Sequence, residues 1–347
     1  MQTLGELVKE FTFTQSLVAA RRKEKGPLFE SWSATAETTV ELARALQRNI
    51  LEKPTSEQIE AFRSLLSFSL PTSTNIRKSK SQIAGVDVTS FSKRGASTKN
   101  LFTRKQKQAT GKCVVHFHGG GYCFGSVDNA APFFSQLLLK RRAEGVSWKG
   151  SIFSVNYALA PEHAWPAALD DATGVVDALT KIYGAQNIML CGDSAGGGLA
   201  LATAISRRES GQEKVAGVIG ISPWVSLSEN SRGYDRARET DLLLEKTVRA
   251  CKDWLCPASP TLPPSLDVIR ASLHELPPLL LLVGEAELFY DDVLRFAGLA
   301  EKAGGDVVCH VGKDMPHVWP FFPMLGAESQ RGLEAMVNFT HRVLPSV

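Results

Sequence analysis

The sequence contains no apolar stretch of the ~20 residues that a membrane-spanning helix needs. It also has little net charge. Its 39 basic and 36 acidic residues leave +3, too small an excess to point to nucleic acid or another polyelectrolyte partner. Cysteine is sparse, with 6 in 347 residues. Cys113, Cys191 and Cys309 fall in apolar strand-like runs, where reduced thiols commonly pack. Cys251 and Cys256 have no second Cys or His pair nearby, which argues against a zinc site. Met1 to Glu10 carries two acids and no apolar signal core, so the expectation is a reduced, cytoplasmic protein. Internal repeats and low-complexity tracts are absent. What is present, 44% hydrophobic and 22% charged residues, is ordinary globular composition. The length suits one large α/β domain with an accessory element, or two domains.

The chain begins with helical periodicity. Leu4, Leu7, Val8 and Phe11 repeat at helical spacing, as do Val40, Leu42, Leu46 and Ile50. A third helix follows Pro54, with Ile59, Phe62, Leu65 and Leu66 on one face. These helices fit a cap, a membrane-surface anchor or a dimerisation arm. Residues 77–112 are basic, with Asp87 their one acid, and contain alternating stretches near 84–91 and 99–102 that predict an edge hairpin. From Cys113 short apolar strands at 113–117, 152–156, 188–191, 215–221, 279–283 and 307–311 alternate with helices at 131–142, 167–182, 195–207, 291–303 and 326–343. That alternation predicts an α/β fold with a mostly parallel sheet covered on both faces. Residues 226–276, with a helical piece at 241–255 and a Pro-rich loop, are too long for a plain crossover. The predicted organisation is therefore a helical cap at 1–75, a core at 76–225 and 277–347, and a second cap segment at 226–276.

The chemistry centres on Gly192-Asp193-Ser194-Ala195-Gly196, which stands between an apolar strand and a small-residue helix. This is the Gly-x-Ser-x-Gly pattern of a nucleophile elbow, a strand-to-helix turn too tight for flanking side chains. His118-Gly119-Gly120-Gly121 directly follows an earlier strand, and its bare backbone N–H groups can converge on one developing oxyanion. Neither glycine cluster continues as a phosphate loop or a dinucleotide turn. An acyl-transfer serine needs a base and the base a carboxylate. Among the 7 histidines, His116 and His310 lie within strand runs and His341 in the last helix. His317 follows the last strand, in a loop that can deliver a base to Ser194. The loop after strand 279–283 offers Glu285, Glu287, Asp291 and Asp292. Asp291 and Asp292 suit the start of the next helix, which leaves Glu287 as the better acid, with Asp291 still open.

These motifs, together with Tyr157-Ala-Leu-Ala-Pro-Glu-His163, Pro166-Ala-Ala-Leu-Asp170 and Ser222-Pro-Trp224, resemble the hormone-sensitive-lipase-like (bacterial family IV type) branch of the α/β-hydrolases. The resemblance is in particular to its fungal esterase-like members. The resemblance implies an α/β-hydrolase fold with Ser194 as nucleophile and His317 as base. It implies oxyanion N–H groups from Gly120, Gly121 and Ala195, with His118, Gly119 and Asp193 as supporting motif positions. It places the family's catalytic Asp on Glu287 and a second Asp on Asp291; Glu for Asp is one departure. Gly198, where the family often has Asn, is another.

The expected function is hydrolysis of carboxylic esters with short acyl chains or compact metabolite alcohols, through an acyl-enzyme and without a cofactor or metal. Tyr122, Trp224 and Trp319 are expected to wall the acyl pocket, with Trp165, Phe321 and Phe322 as further aromatics at motif positions. The expected partner is a small ester, with neither nucleic acid nor stable membrane insertion; a homodimer is compatible with the N-terminal helices. Besides a protein-interaction scaffold, for which nothing in the sequence speaks, two other readings stay open. One is a biosynthetic enzyme using the same triad for acyl transfer, lactone chemistry or cyclisation. The other is a non-catalytic small-molecule receptor, against which the intact Ser194 and His317 speak.

Overall fold

The computed structural model describes residues 4–48, 57, 59, 60, 63, 73–94, 111–127, 131–139, 148, 150–227, 232–257 and 262–345. Its centre is an eight-stranded sheet: β1 (Ile76–Ile83), β2 (Val86–Lys93), β3 (Lys112–Phe117), β4 (Gly150–Val155), β5 (Ile188–Asp193), β6 (Gly217–Ile221), β7 (Leu279–Gly284) and β8 (Val307–Gly312). The order is β1-β2-β4-β3-β5-β6-β7-β8. From β4 to β8 neighbouring strands run parallel, while β1 and β2 add an antiparallel edge.

The helices are α1 (Leu4–Lys25), α2 (Ala34–Arg48), α3 (Ala131–Leu139), α4 (Ala167–Tyr183), α5 (Ala195–Glu209), α6 (Arg232–Ala237), α7 (Glu245–Leu255), α8 (Tyr290–Lys302) and α9 (Ala327–Val343). Successive strand residues point to opposite faces, so the apolar runs feed two cores. Val115, Leu190, Val218 and Leu281 pack with α4, α5 and α8. Val114, Met189, Ile219 and Leu280 pack with α3, α9 and Val40 of α2. Burying one such side chain stabilises the fold by about 1.5–3 kcal/mol. A strand that must do this on both faces reads as a continuous apolar run.

The edge hairpin differs from the sequence expectation. The stretch at 84–91 contributes β2, but its partner is β1, which precedes it, joined by a two-residue turn at Ala84 (φ 52°) and Gly85 (φ 84°). Paired positive φ values suit the right-handed twist of a hairpin. Outermost β1 reads Ile-Arg-Lys-Ser-Lys-Ser-Gln-Ile and buries only its two ends, so no alternation marks it. Residues 99–102 lie outside the described residues, as does most of the third N-terminal helix. Of that helix, Ile59 is buried, and Arg63 pairs with Glu162 and donates to the Cys123 and Ala160 carbonyls.

The N-terminal helices are tied to the loops at the carboxyl ends of the strands. Buried Glu37 pairs with Arg21 and Arg22, locking α2 to α1. The Trp32 indole N–H donates to the Asp314 carbonyl at 2.9 Å, just before His317. Gln47 of α2 donates to the Leu242 carbonyl (2.7 Å) and accepts from the Leu244 N–H (3.1 Å). Among the described residues, no helix is long and apolar enough to cross a membrane.

Candidate active site

Ser194 stands between β5 and α5 at φ 54°, ψ −121°. Such backbone geometry costs on the order of 1–3 kcal/mol and persists only where surroundings enforce it. Here the Ser194 N–H donates to the Ile221 carbonyl (2.8 Å), and the Ser194 carbonyl accepts from the Trp224 N–H (2.9 Å). A Cβ on Gly192 would sit 2.1 Å from the Gly196 carbonyl oxygen, and one on Gly196 would sit 2.1 Å from that of Phe117. Both clashes are with backbone, so the elbow closes only with glycine at these positions. At Gly198 a Cβ would lie 2.5 Å from the Trp224 carbonyl oxygen. This close approach accounts for the missing side chain at position 198.

The glycine loop after β3 is set by Asp193. Its Oδ2 accepts the Gly119 N–H (3.0 Å), and its Oδ1 faces His116 Nε2 at 3.3 Å. His116, on β3, is thus an internal brace, its other nitrogen bonded to Ser154 Oγ. His118 stacks on Tyr157 and directs Nδ1 to the Gly119 carbonyl. Burial lowers its pKa to about 4, so the ring is neutral and Nδ1 carries the donated proton. Gly120 (φ 118°) and Gly121 (φ 62°) adopt left-handed conformations. Their N–H groups, and that of Ala195 at the start of α5, have no acceptor among the described residues. They remain available to an oxygen bound beside Ser194.

His317 Nε2 lies 2.9 Å from Ser194 Oγ. On its other side, His317 Nδ1 faces Glu287 Oε1 at 3.7 Å, an ion-pair distance rather than a hydrogen bond. Among the described residues, neither atom has a hydrogen-bond partner, so each remains available to the other. The second oxygen of fully buried Glu287 accepts from Ser222 Oγ (2.7 Å) and the Gly284 N–H (2.8 Å). Ser222 Oγ in turn accepts the Val318 N–H (2.9 Å), bracing acid and histidine loops together. Asp291, the alternative acid, lies at the start of α8, half-exposed and 4.0 Å from Arg236. It does not reach His317.

One acidic residue escaped the sequence reading. Asp241, in the 226–276 insertion, is fully buried beside the histidine. Its Oδ1 accepts the His317 backbone N–H (2.9 Å) and its Oδ2 that of Leu288 (2.8 Å). Nothing local singles it out, because it sits in a polar stretch whose burial is created by distant elements. Burial pushes Asp241 up to about 6; His317 opposes that and Glu287 adds to it. Burial works to lower the His317 imidazole, but the carboxylates of Glu287, Asp241 and Asp193 outweigh it and hold the ring above the ordinary histidine value.

A cavity of about 260 Å³ opens over Ser194, Gly120, Gly121 and His317. Its walls are Leu46 of α2, Leu242, Leu243 and Val248 of the insertion, and Phe124, Trp224 and Phe289 of the core, with Cys251 against Gly121. Trp224 is therefore a wall residue. Tyr122 and Trp319, expected in the same role, are instead buried packing residues outside the lining. Tyr122 packs on Trp165 and Trp224, and Trp319 lies against Gly312 and Gly332. Aromatics next to motifs are as useful for core packing as for ligand contact, so sequence position does not separate the two roles. Trp165, Phe321 and Phe322 are also outside the lining. A larger, more polar cleft of about 470 Å³ lies between the β1–β2 turn and residues 156–163, away from Ser194. Among the described residues, no group of three or more His, Cys, Asp or Glu could hold a metal ion.

A serine at a strained elbow, a histidine within hydrogen-bond reach and unpaired N–H groups beside them, on a mostly parallel sheet, define a hydrolase of the α/β-hydrolase class. Residues 114–321 match the family model described as alpha/beta hydrolase fold. The chain is 32% identical over 220 residues to the versiconal hemiacetal acetate esterase of Emericella nidulans, covering 60% of this chain and 74% of the relative. It is 29% identical over 233 residues to an acetyl-hydrolase of Streptomyces hygroscopicus, covering 66% and 75%. Among solved structures, a hormone-sensitive lipase from a metagenome library superposes with a TM-score of 0.74 at 25% identity, covering 88% of this chain and 97% of the other. The chain belongs to the α/β-hydrolase-fold family, in its hormone-sensitive-lipase-like branch, and is a carboxylic ester hydrolase.

Proposed function

We propose that Ser194, His317 and Glu287 form the catalytic triad, and that the ester cleaved carries a short acyl group. The observation that carries this reading is the 2.9 Å contact between His317 Nε2 and Ser194 Oγ beneath a small apolar cavity. His317 takes the Ser194 proton as Oγ attacks the ester carbonyl. The N–H groups of Gly120, Gly121 and Ala195 receive the oxyanion, and Glu287 balances the charge that develops on the imidazole. The imidazolium then protonates the leaving alcohol, and water repeats the cycle on the acyl-enzyme.

Residues 1–75 and 226–276 act as two cap segments over a core at 76–225 and 277–347; the bonds from Gln47 to residues 242 and 244 support this division. A cavity of about 260 Å³ under such a cap has little room for a long acyl chain. Two relatives bear names of acetyl-removing enzymes, one acting on a fungal hemiacetal acetate, which supports an acetylated small metabolite as substrate. Free cysteines throughout support a reducing, cytoplasmic setting. A p-nitrophenyl ester series tests the substrate class. The expected kcat/KM is highest at acetate to butyrate and at least ~10-fold lower at laurate; a profile rising towards laurate overturns it.

A further inference from the structure

We infer that Asp241 is a positioning residue for catalysis, a second buried carboxylate through which the insertion and the N-terminal helices hold His317 in place. The inference rests on His317 being the base. Two features of Asp241 carry it. Its side chain spends both oxygens on backbone N–H groups from the two loops that supply the triad: His317 itself, and Leu288 next to Glu287. Its main chain is clasped from outside. The Asp241 N–H donates to the Ala237 carbonyl, while the Asp241 carbonyl accepts from Arg44 Nη1 of α2. Arg44 Nη2 reaches the Arg238 carbonyl (2.9 Å), and Gln47 holds residues 242 and 244 on the next turn. An unbroken set of hydrogen bonds therefore runs from α2, through residue 241, to the backbone of the base.

The charge of Asp241 has a second consequence. As His317 takes the serine proton it becomes an imidazolium in a buried site. The carboxylates that face it are Glu287 from the β7–α8 loop, Asp193 from the end of β5 and Asp241 from the insertion. Asp241 itself is faced by His317 and Glu287, with the Arg44 guanidinium on its carbonyl. Glu287 meets the ring at Nδ1, and Asp241 acts through the backbone and the field. The two carboxylates thus divide the work of orienting the base. This arrangement makes the base loop's position depend on the cap being seated.

Asp241→Asn tests this, because its amide presents an N–H to one of the two backbone donors and removes the charge. The expected result is a kcat lowered at least ~10-fold with KM within ~3-fold, and an acid limb of the kcat/KM profile moved down by roughly half a pH unit. Arg44→Gln, which weakens the outer clasp and leaves the carboxylate, should lower thermal stability without moving that limb. An Asp241→Asn protein that is folded and keeps both kcat and the wild-type limb overturns the inference. Should Asp241→Asn fail to fold, wild-type NMR decides. The His317 and Leu288 amide signals should titrate together with the Asp241 carboxyl carbon, and separate inflections overturn the inference. Fluorophosphonate labelling of wild-type Ser194 keeps the two readings apart: an unlabelled Ser194 removes the triad assignment, while the amide titration still reports on Asp241.

Discussion

The proposed nucleophile side and the proposed acid–base side of this site are built by opposite means. On the nucleophile side, positions 118–121 and 192–196 meet through close backbone approach, with glycines whose Cβ atoms would lie 2.1–2.6 Å from neighbouring atoms. Geometry there comes from sterics, and its sequence signature is two short glycine clusters. On the acid–base side, Ser222, Asp241, Glu287 and His317 come from four separate segments and are joined by side-chain hydrogen bonds. Close packing tolerates no added side chain, even though the neighbours it packs against, such as Phe117 for Gly196 and Cys251 for Gly121, stand far off in sequence. A hydrogen-bonded network tolerates graded change, yet exists only after the whole chain has folded.

The largest effect is expected at the elbow. Ser194→Ala should lower ester turnover by roughly 10³–10⁶-fold with no loss of thermal stability, since the methyl replaces only the hydroxyl. Wild-type-like p-nitrophenyl acetate hydrolysis by purified, folded Ser194→Ala would refute the assignment. Gly196→Ala, by contrast, should fail through the fold, its Cβ being aimed at the Phe117 backbone. A cost of about 3 kcal/mol or more is expected in denaturant unfolding.

On the network side the effects should be smaller and graded. Glu287→Gln should lower kcat by about 10²–10⁴-fold, because the amide no longer balances an imidazolium. Asp291→Asn, on the exposed start of α8, should change kcat by less than ~2-fold. The reverse ranking, measured on proteins of matched circular dichroism, would move the triad acid to Asp291. The smallest effect is on pH. Only neutral His317 can accept the serine proton, and its neighbouring carboxylates raise its pKa. Activity should therefore fall as pH drops through a value above 6.5, the ordinary histidine pKa. A kcat/KM profile flat down to pH 5.5 would contradict this sign.

The same contrast explains what was legible in the sequence. The strands from β3 to β8 and the elbow follow from local apolar runs and glycine spacing, and they stand close to where the sequence placed them. β1 escaped because an outer edge strand need not alternate, and Asp241 because its burial depends on α2 and the His317 loop. Proximity to motifs points Tyr122 and Trp319 towards the pocket, but packing turns them into the core. Ser222 was visible as part of a motif, while its bonds to Glu287 and Val318 became visible only in three dimensions.

Local sequence thus specified the class of fold, the elbow position of Ser194 and the order in which Glu287 and His317, the proposed acid and base, follow it. Each of these rests on periodicity, glycine or spacing, which act over a few residues. Long-range folding alone settles that Glu287 rather than Asp291 faces His317, that Trp224 but neither Tyr122 nor Trp319 lines the cavity, and that Asp241 links Arg44 of α2 to the His317 backbone. Those choices depend on which side chains long-range packing removes from water and brings within hydrogen-bond reach, and no local pattern records that.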